Sequence, residues 1–145
     1  MGNVGNEDLT GWARSCFADD RYATQATGVE VVGVTANGRE GSAVCRLTLQ
    51  PRHRNARGGV MGGVYYTLAD FAAAIAMNVE AAGTSELPWM TLESSVHFLA
   101  QPQGDSIDAV ARCLRHGATT CLYEVQISEQ QRLLAQVEIR GIRRV

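Results

Sequence analysis

Lysine is absent: the 13 basic residues of this 145-residue chain are all arginine. Without lysine there is no Schiff base, no lysine-held pyridoxal phosphate and no P-loop lysine. Charge of one sign is scarce too. A net charge of −2 excludes a histone-like polyanion binder and a basic membrane-surface module, so neither nucleic acid nor membrane is an expected partner. The four cysteines, Cys16, Cys45, Cys113 and Cys121, lack any CxxC or CxxH spacing, which argues against a zinc site and against a disulfide framework. Cys113 and Cys121 flank Gly117 and are expected to face each other across a hairpin as packed thiols. His53, His97 and His116 form no HxxxH pair and have no carboxylate at ligand spacing. No metal or cofactor is therefore expected, and His97 is expected on a sheet surface. There is no Gly-x-Ser-x-Gly elbow for a serine hydrolase. No apolar run reaches the roughly 18–20 residues of a membrane span. The stretch Met1 to Asp8 lacks the basic and apolar regions of a signal peptide, and Thr10 falls too late after Gly2 for myristoylation. The expected compartment is a reducing cytoplasm.

What is present reads as one domain. A chain that is 46% hydrophobic and of this length buries roughly 68–70% of its surface without staples. Residues 1–27 form a lead-in with a short amphipathic helix over about Glu7–Phe17, carrying Leu9, Trp12, Ala13 and Cys16 at helical spacing. The domain proper, 28–145, opens with strands at Val29–Thr35 and Gly41–Leu49 around an Asn37-Gly38 hairpin signal. A basic, glycine-rich loop follows, then an almost wholly apolar run from Val64 to Val79 that predicts a helix buried on every side. Four further strands are expected at Met90–Leu99, Ser106–Arg115, Thr120–Ser128 and Leu133–Ile142. The pattern is α+β: an antiparallel sheet of about six strands around one long central helix. One helix cannot cover such a sheet, and its exposed edge points to oligomerisation.

Two features carry chemistry. Asp70 lies inside the most apolar helix, between Ala69 and Phe71, where a carboxylate is costly unless paired or hydrogen-bonded. It is either a salt-bridge partner of an arginine, in its own chain or across a subunit contact, or a carboxylate whose desolvation serves a nucleophile or general base. The run Gly58-Gly59-Val60-Met61-Gly62-Gly63 opens the same helix; free N–H groups there suit an oxyanion.

The stretch Asn55-Ala56-Arg57-Gly58-Gly59-Val60-Met61-Gly62-Gly63-Val64-Tyr65-Tyr66-Thr67-Leu68-Ala69-Asp70 resembles the signature of hotdog-fold acyl-CoA thioesterases of the PaaI type. Ser95-Val96-His97-Phe98-Leu99 and Arg115-His116-Gly117 look like later strands of that family, and the resemblance spans about residues 28–142. It implies a hotdog fold and hydrolysis of an acyl-CoA to free acid and CoA. Carried over by position, Asp70 is the catalytic carboxylate, Gly62 the main oxyanion donor with Gly63 beside it, Asn55 the loop and substrate holder, and Thr91 a hydroxyl that positions water. Met61 and Tyr66, with Val64 and Tyr65, are expected to line the acyl site, pointing to an aromatic or medium acyl group. Arg115 and His116 are expected on the CoA side. Asp70 either activates water or attacks the carbonyl to form an anhydride.

The chain departs from the family at Met61, where a histidine is usual, and at Ala118, where arginine is frequent. A hydratase or dehydratase would want that histidine, and a non-catalytic acyl-CoA binder would need no carboxylate in the helix. Gly62 and Asp70 are eight residues apart on one helix, about 12 Å at 1.5 Å per residue. That separation, like the resemblance, implies a homodimer with active sites between subunits; the resemblance alone implies a tetramer of two dimers beyond it.

Overall fold

The computed structural model describes residues 5–145. Residues 1–4, which belong to the stretch tested for a signal peptide, lie outside the described residues. Helix α1 (Asn6–Cys16) leads through a 3-10 turn and a single π-helical turn (Tyr22–Thr27) into β1 (Glu30–Asn37) and β2 (Glu40–Thr48). Helix α2 (Gly62–Met77) follows, and then β3 (Trp89–Phe98), β4 (Ser106–His116), β5 (Thr120–Glu129) and β6 (Arg132–Arg143). All strands pair antiparallel in one six-stranded sheet of order β1-β2-β4-β5-β6-β3. This is the hotdog arrangement, a sheet curled around a central helix.

Period-two burial sets the sheet on α2. Ala43, Cys45 and Leu47 of β2, Ile107, Ala109 and Ala111 of β4, Tyr123, Val125 and Ile127 of β5, and Val137 and Ile139 of β6 are all buried. The helix presents Leu68, Ala69, Ala72, Ala73 and Ala76 to them, and small side chains on both sides let the backbones approach closely. Gly41 marks the tightest point, because a Cβ there would lie 2.1 Å from the Ala76 carbonyl oxygen. No helix among the described residues is long and apolar enough to cross a membrane.

Three local expectations shift. The first hairpin turns at Gly38-Arg39, with Asn37 paired to Glu40 and Gly38 at φ 61°. Glycine thus takes the first central position, where a positive φ costs it nothing. Cys113 does not face Cys121: an extra residue, Leu114, bulges from β4, so Cys113 pairs with Tyr123 and Cys121 with His116. All four cysteines are free thiols. Helix α2 ends at Met77, short of the apolar run's end at Val79: Asn78 caps it, its side chain donating to the carbonyls of Ala74 and Trp89 and accepting from Trp89 N–H.

The two sheet edges differ. Along β1, Arg14 of α1 donates to the Val31 carbonyl at 3.1 Å and Thr10 Oγ1 accepts from Val34 N–H at 3.0 Å, so α1 covers that edge. The ten-residue β3 edge is open, and Met90, Leu92, Phe98 and Leu99 are each about half exposed beside or along it.

Candidate active site

The loop before α2 consumes its own backbone donors until the helix begins. Asn55 Oδ1 accepts from Arg57 N–H and Gly59 N–H at 2.9 and 3.1 Å, an Asx-type turn that folds the loop back on itself. Its backbone closes the same loop, with Asn55 N–H donating to Gly59 O and Gly58 N–H to Asn55 O. Val60 N–H donates to Gln101 Oε1 at 2.7 Å, and Met61 N–H donates to His53 O at 2.9 Å. The next two N–H groups, of Gly62 and Gly63, are the first of α2, where the helix supplies no acceptor. Met61 occupies the N-cap and makes no side-chain cap, so among the described residues neither donor has an acceptor, and both stand at the positive end of the helix dipole. Gly62 lies against the Phe98 ring: a Cβ there would meet Cζ at 3.0 Å.

From that end a row of paired groups runs along α2 and the antiparallel β3. Gly62 meets Phe98, Tyr66 Oη meets Ser94 Oγ at 2.9 Å, and Thr91 Oγ1–H donates to Asp70 Oδ1 at 2.8 Å. A bulge at Leu92 makes this row possible. Strict alternation would turn Ser94 away from the face that holds Thr91; the extra residue brings both toward the helix. Ser94 and Phe98 were not among the expected site residues, because a bulge has no local sequence mark and pure alternation assigns Ser94 to the wrong face.

Asp70 is half-buried, and among the described residues no ion pair includes it. The salt-bridge alternative is thus not realised within the described chain. Burial pushes its carboxyl above the usual carboxylate range; the Thr91 hydrogen bond opposes this and the charge of Asp20 adds to it. Thr91→Val should therefore move the acidic limb of the kcat/KM profile to higher pH, since the bond it deletes favours the ionised form. A limb that stays in place would show that Asp70 does not set it.

Other expected residues lie elsewhere. Tyr65 is 1% exposed, with its hydroxyl on the Ala100 carbonyl; it is a core residue and lines nothing. Met61 is exposed beside the donors, and Gly63, one of the two, is exposed as well. His116 is buried edge-on between Trp89 and Tyr123, with Nε2 3.4 Å from the Met77 carbonyl oxygen, and Arg115 is exposed next to it. Both stand at the far end of α2, about 22 Å from Gly62 along the helix. A single chain does not bring them to the donors. His97 is exposed on β3, and His53 is 2% exposed beneath the loop.

Residues 57–136, more than half the chain, match the family described as Thioesterase superfamily. The acyl-coenzyme A thioesterase PaaI of Escherichia coli K12 is 28% identical over 120 residues, covering 82% of this chain and 79% of that one. The solved structure of the E. coli PaaI protein superposes with a TM-score of 0.80 at 20% identity, over 96% of each chain. A hypothetical thioesterase from Streptococcus pneumoniae TIGR4, solved with coenzyme A, gives 0.70 at 21% identity over 88% of this chain and 95% of that one. The chain belongs to the thioesterase superfamily, has the hotdog fold and is similar to PaaI in sequence and structure.

Proposed function

We propose that the protein hydrolyses an acyl-CoA thioester, with an aromatic or medium-length acyl group, to the free acid and CoA. One observation carries the reading. The loop satisfies the N–H groups of Gly59, Val60 and Met61 with named acceptors and leaves those of Gly62 and Gly63 without an acceptor among the described residues, on the helix that bears a half-buried carboxylate in no ion pair among those residues. The E. coli relative named as an acyl-CoA thioesterase and the S. pneumoniae neighbour solved with CoA support the choice of thioester.

The thioester carbonyl oxygen sits on Gly62 N–H, with Gly63 N–H beside it, where negative charge develops as the carbonyl carbon becomes tetrahedral. Asp70 takes a proton from water as the water oxygen bonds to that carbon. Thr91 steadies the carboxylate with its hydroxyl proton and keeps lone pairs to accept from the water. The C–S bond then breaks, the electron pair leaves on sulfur, and the proton held by Asp70 returns to the thiolate. A carboxyl raised above its usual range is a stronger base for this step than an exposed one. Tyr66 and Phe98 give the acyl group an apolar, aromatic wall, and Arg54 and Arg57, exposed on the donor loop, suit CoA phosphates.

Gly62 and Asp70 of one helix cannot reach one carbonyl, being about 12 Å apart. Two chains that meet along their open β3 edges about a two-fold axis perpendicular to those strands set their α2 helices antiparallel, and each Gly62 then meets the partner's carboxylate. The exposed Met90, Leu92 and Phe98 of β3 become contacts in that dimer, and two dimers form the tetramer. The test is a panel of acyl-CoAs incubated with the protein and a thiol reagent. Steady CoA release is expected; tight binding without release would make the chain a binder instead.

A further inference from the structure

We propose that His53 is a positioning residue for the Gly62 and Gly63 donors: it ties the loop that launches α2 to the N-terminal segment, so that this segment holds the donors in aim. The inference rests on the proposed thioester chemistry for its kinetic consequence, but the grip itself is read from the structure. His53 is 2% exposed and is held through both its main chain and its ring. Its N–H donates to Gln50 O at 3.0 Å and its carbonyl accepts from Met61 N–H at 2.9 Å. Its Nδ1 accepts from Gln50 N–H at 2.9 Å, and its Nε2 lies 2.7 Å from the Thr27 carbonyl oxygen. An acceptor at Nδ1 leaves the proton on Nε2, so the ring is the neutral tautomer and donates to Thr27.

Each bond has a consequence for the next. Met61 is the residue from which α2 starts, so the His53 carbonyl sets where the first N–H of the helix points. The ring fixes that carbonyl by anchoring the turn Pro51–His53 to Thr27. Thr27 is itself held: it is buried, it ends the π-helical turn, and both Gly28 N–H and Val29 N–H close on the Ala23 carbonyl at 2.9 Å. The same N-terminal segment docks beside Asp70 through an edge contact of Phe17 on Phe71, with ring centroids 5.8 Å apart. It therefore grips α2 near the carboxylate and the donor loop near Gly62. Neither His53 nor this segment falls within residues 57–136 that match the family; the coupling belongs to the flanking part of the chain.

Three variants test it. His53→Leu removes both ring bonds. His53→Asn keeps an acceptor for Gln50 N–H and is too short to reach Thr27. His53→Gln offers one acceptor and one donor on a longer arm and restores both. Well below the melting temperature of each variant, His53→Leu should lose about tenfold to a hundredfold in kcat, the effect of a misaimed group, with KM little changed. His53→Gln should recover most of that loss and His53→Asn little of it. The amide resonances of Gly62 and Gly63 should shift in the Leu and Asn variants and return in Gln. Should His53→Leu fail to fold, the Asn and Gln pair decides the matter. Equal kcat in folded Asn and Gln variants, or Gly62 and Gly63 resonances that stay put, would overturn the proposal and leave His53 a structural residue. A wild-type protein that releases no CoA would sink the thioester reading alone, because the amide shifts still report whether His53 holds the donors.

Discussion

Asp70→Asn should lower kcat by about 10²–10⁴-fold, the range for loss of a general base, while the protein melts at a higher temperature than wild type at neutral pH. The two halves of this result have one cause. Burial holds the Asp70 carboxyl above its ordinary range, so the folded state binds its proton more tightly than the unfolded state does. The stabilisation this gives is full at pH below the ordinary carboxylate range and is lost as pH rises through the folded value. At neutral pH the ionised carboxylate is a cost, which the asparagine amide avoids while still offering Thr91 an acceptor. The gain in melting temperature should accordingly vanish in acid. A salt-bridged Asp70 would give the opposite pattern: lower stability at neutral pH with near-normal turnover in the folded fraction. Kinetics and melting on one preparation separate the two, and the expected pair is the trade of stability for activity typical of a functional site.

The second large effect is expected at Gly62. Gly62→Pro deletes the N–H proposed to hold the oxyanion and little else. Gly62 is the first residue of α2, where proline is favoured because its missing N–H has no helical acceptor. Met61 already has the extended conformation a following proline demands, with φ −64° and ψ 136°. Gly62→Ala is the control: it adds the Cβ that meets the Phe98 ring at 3.0 Å and keeps the donor, and that ring is half exposed and can yield. The proline variant should fall about 10²–10³-fold below the alanine variant in kcat. Equal rates in the two would move the oxyanion away from Gly62.

Much of this architecture was legible in the chain. The apolar run after Gly63 could only be a buried helix, and period-two alternation placed all six strands to within a few residues. Asp70 was conspicuous because nothing else in its helix is charged. What escaped has a physical reason in each case. The bulges at Leu92 and Leu114 are decided by pairing with β6 and β5, so local sequence could not show that Ser94 shares a face with Thr91 or that Cys113 misses Cys121. His53 read as one more member of a basic loop, because its partner Thr27 is 26 residues away and is a main-chain carbonyl that carries no side-chain signal. Tyr65 and Tyr66 were indistinguishable in a helix apolar on all sides; only the packing sends one into the core and the other to Ser94. Thr91 came from family resemblance alone, and its bond to Asp70 is a property of the folded chain. Arg115 and His116 came the same way, and the far end of α2 is where the fold puts them.

Subunit mixing tests the central claim most directly, that Gly62 of one chain and Asp70 of another act on one thioester. The Asp70→Asn and Gly62→Pro proteins, each inactive alone, are unfolded together and refolded. About half the dimers should then be mixed, each with one intact site and one doubly damaged site. Acyl-CoA hydrolysis should return to roughly a quarter of the wild-type rate, in proportion to the mixed fraction. If subunit exchange is confirmed and the mixture stays as inactive as its parents, the donor and the carboxylate do not meet across a dimer, and the interfacial site is contradicted.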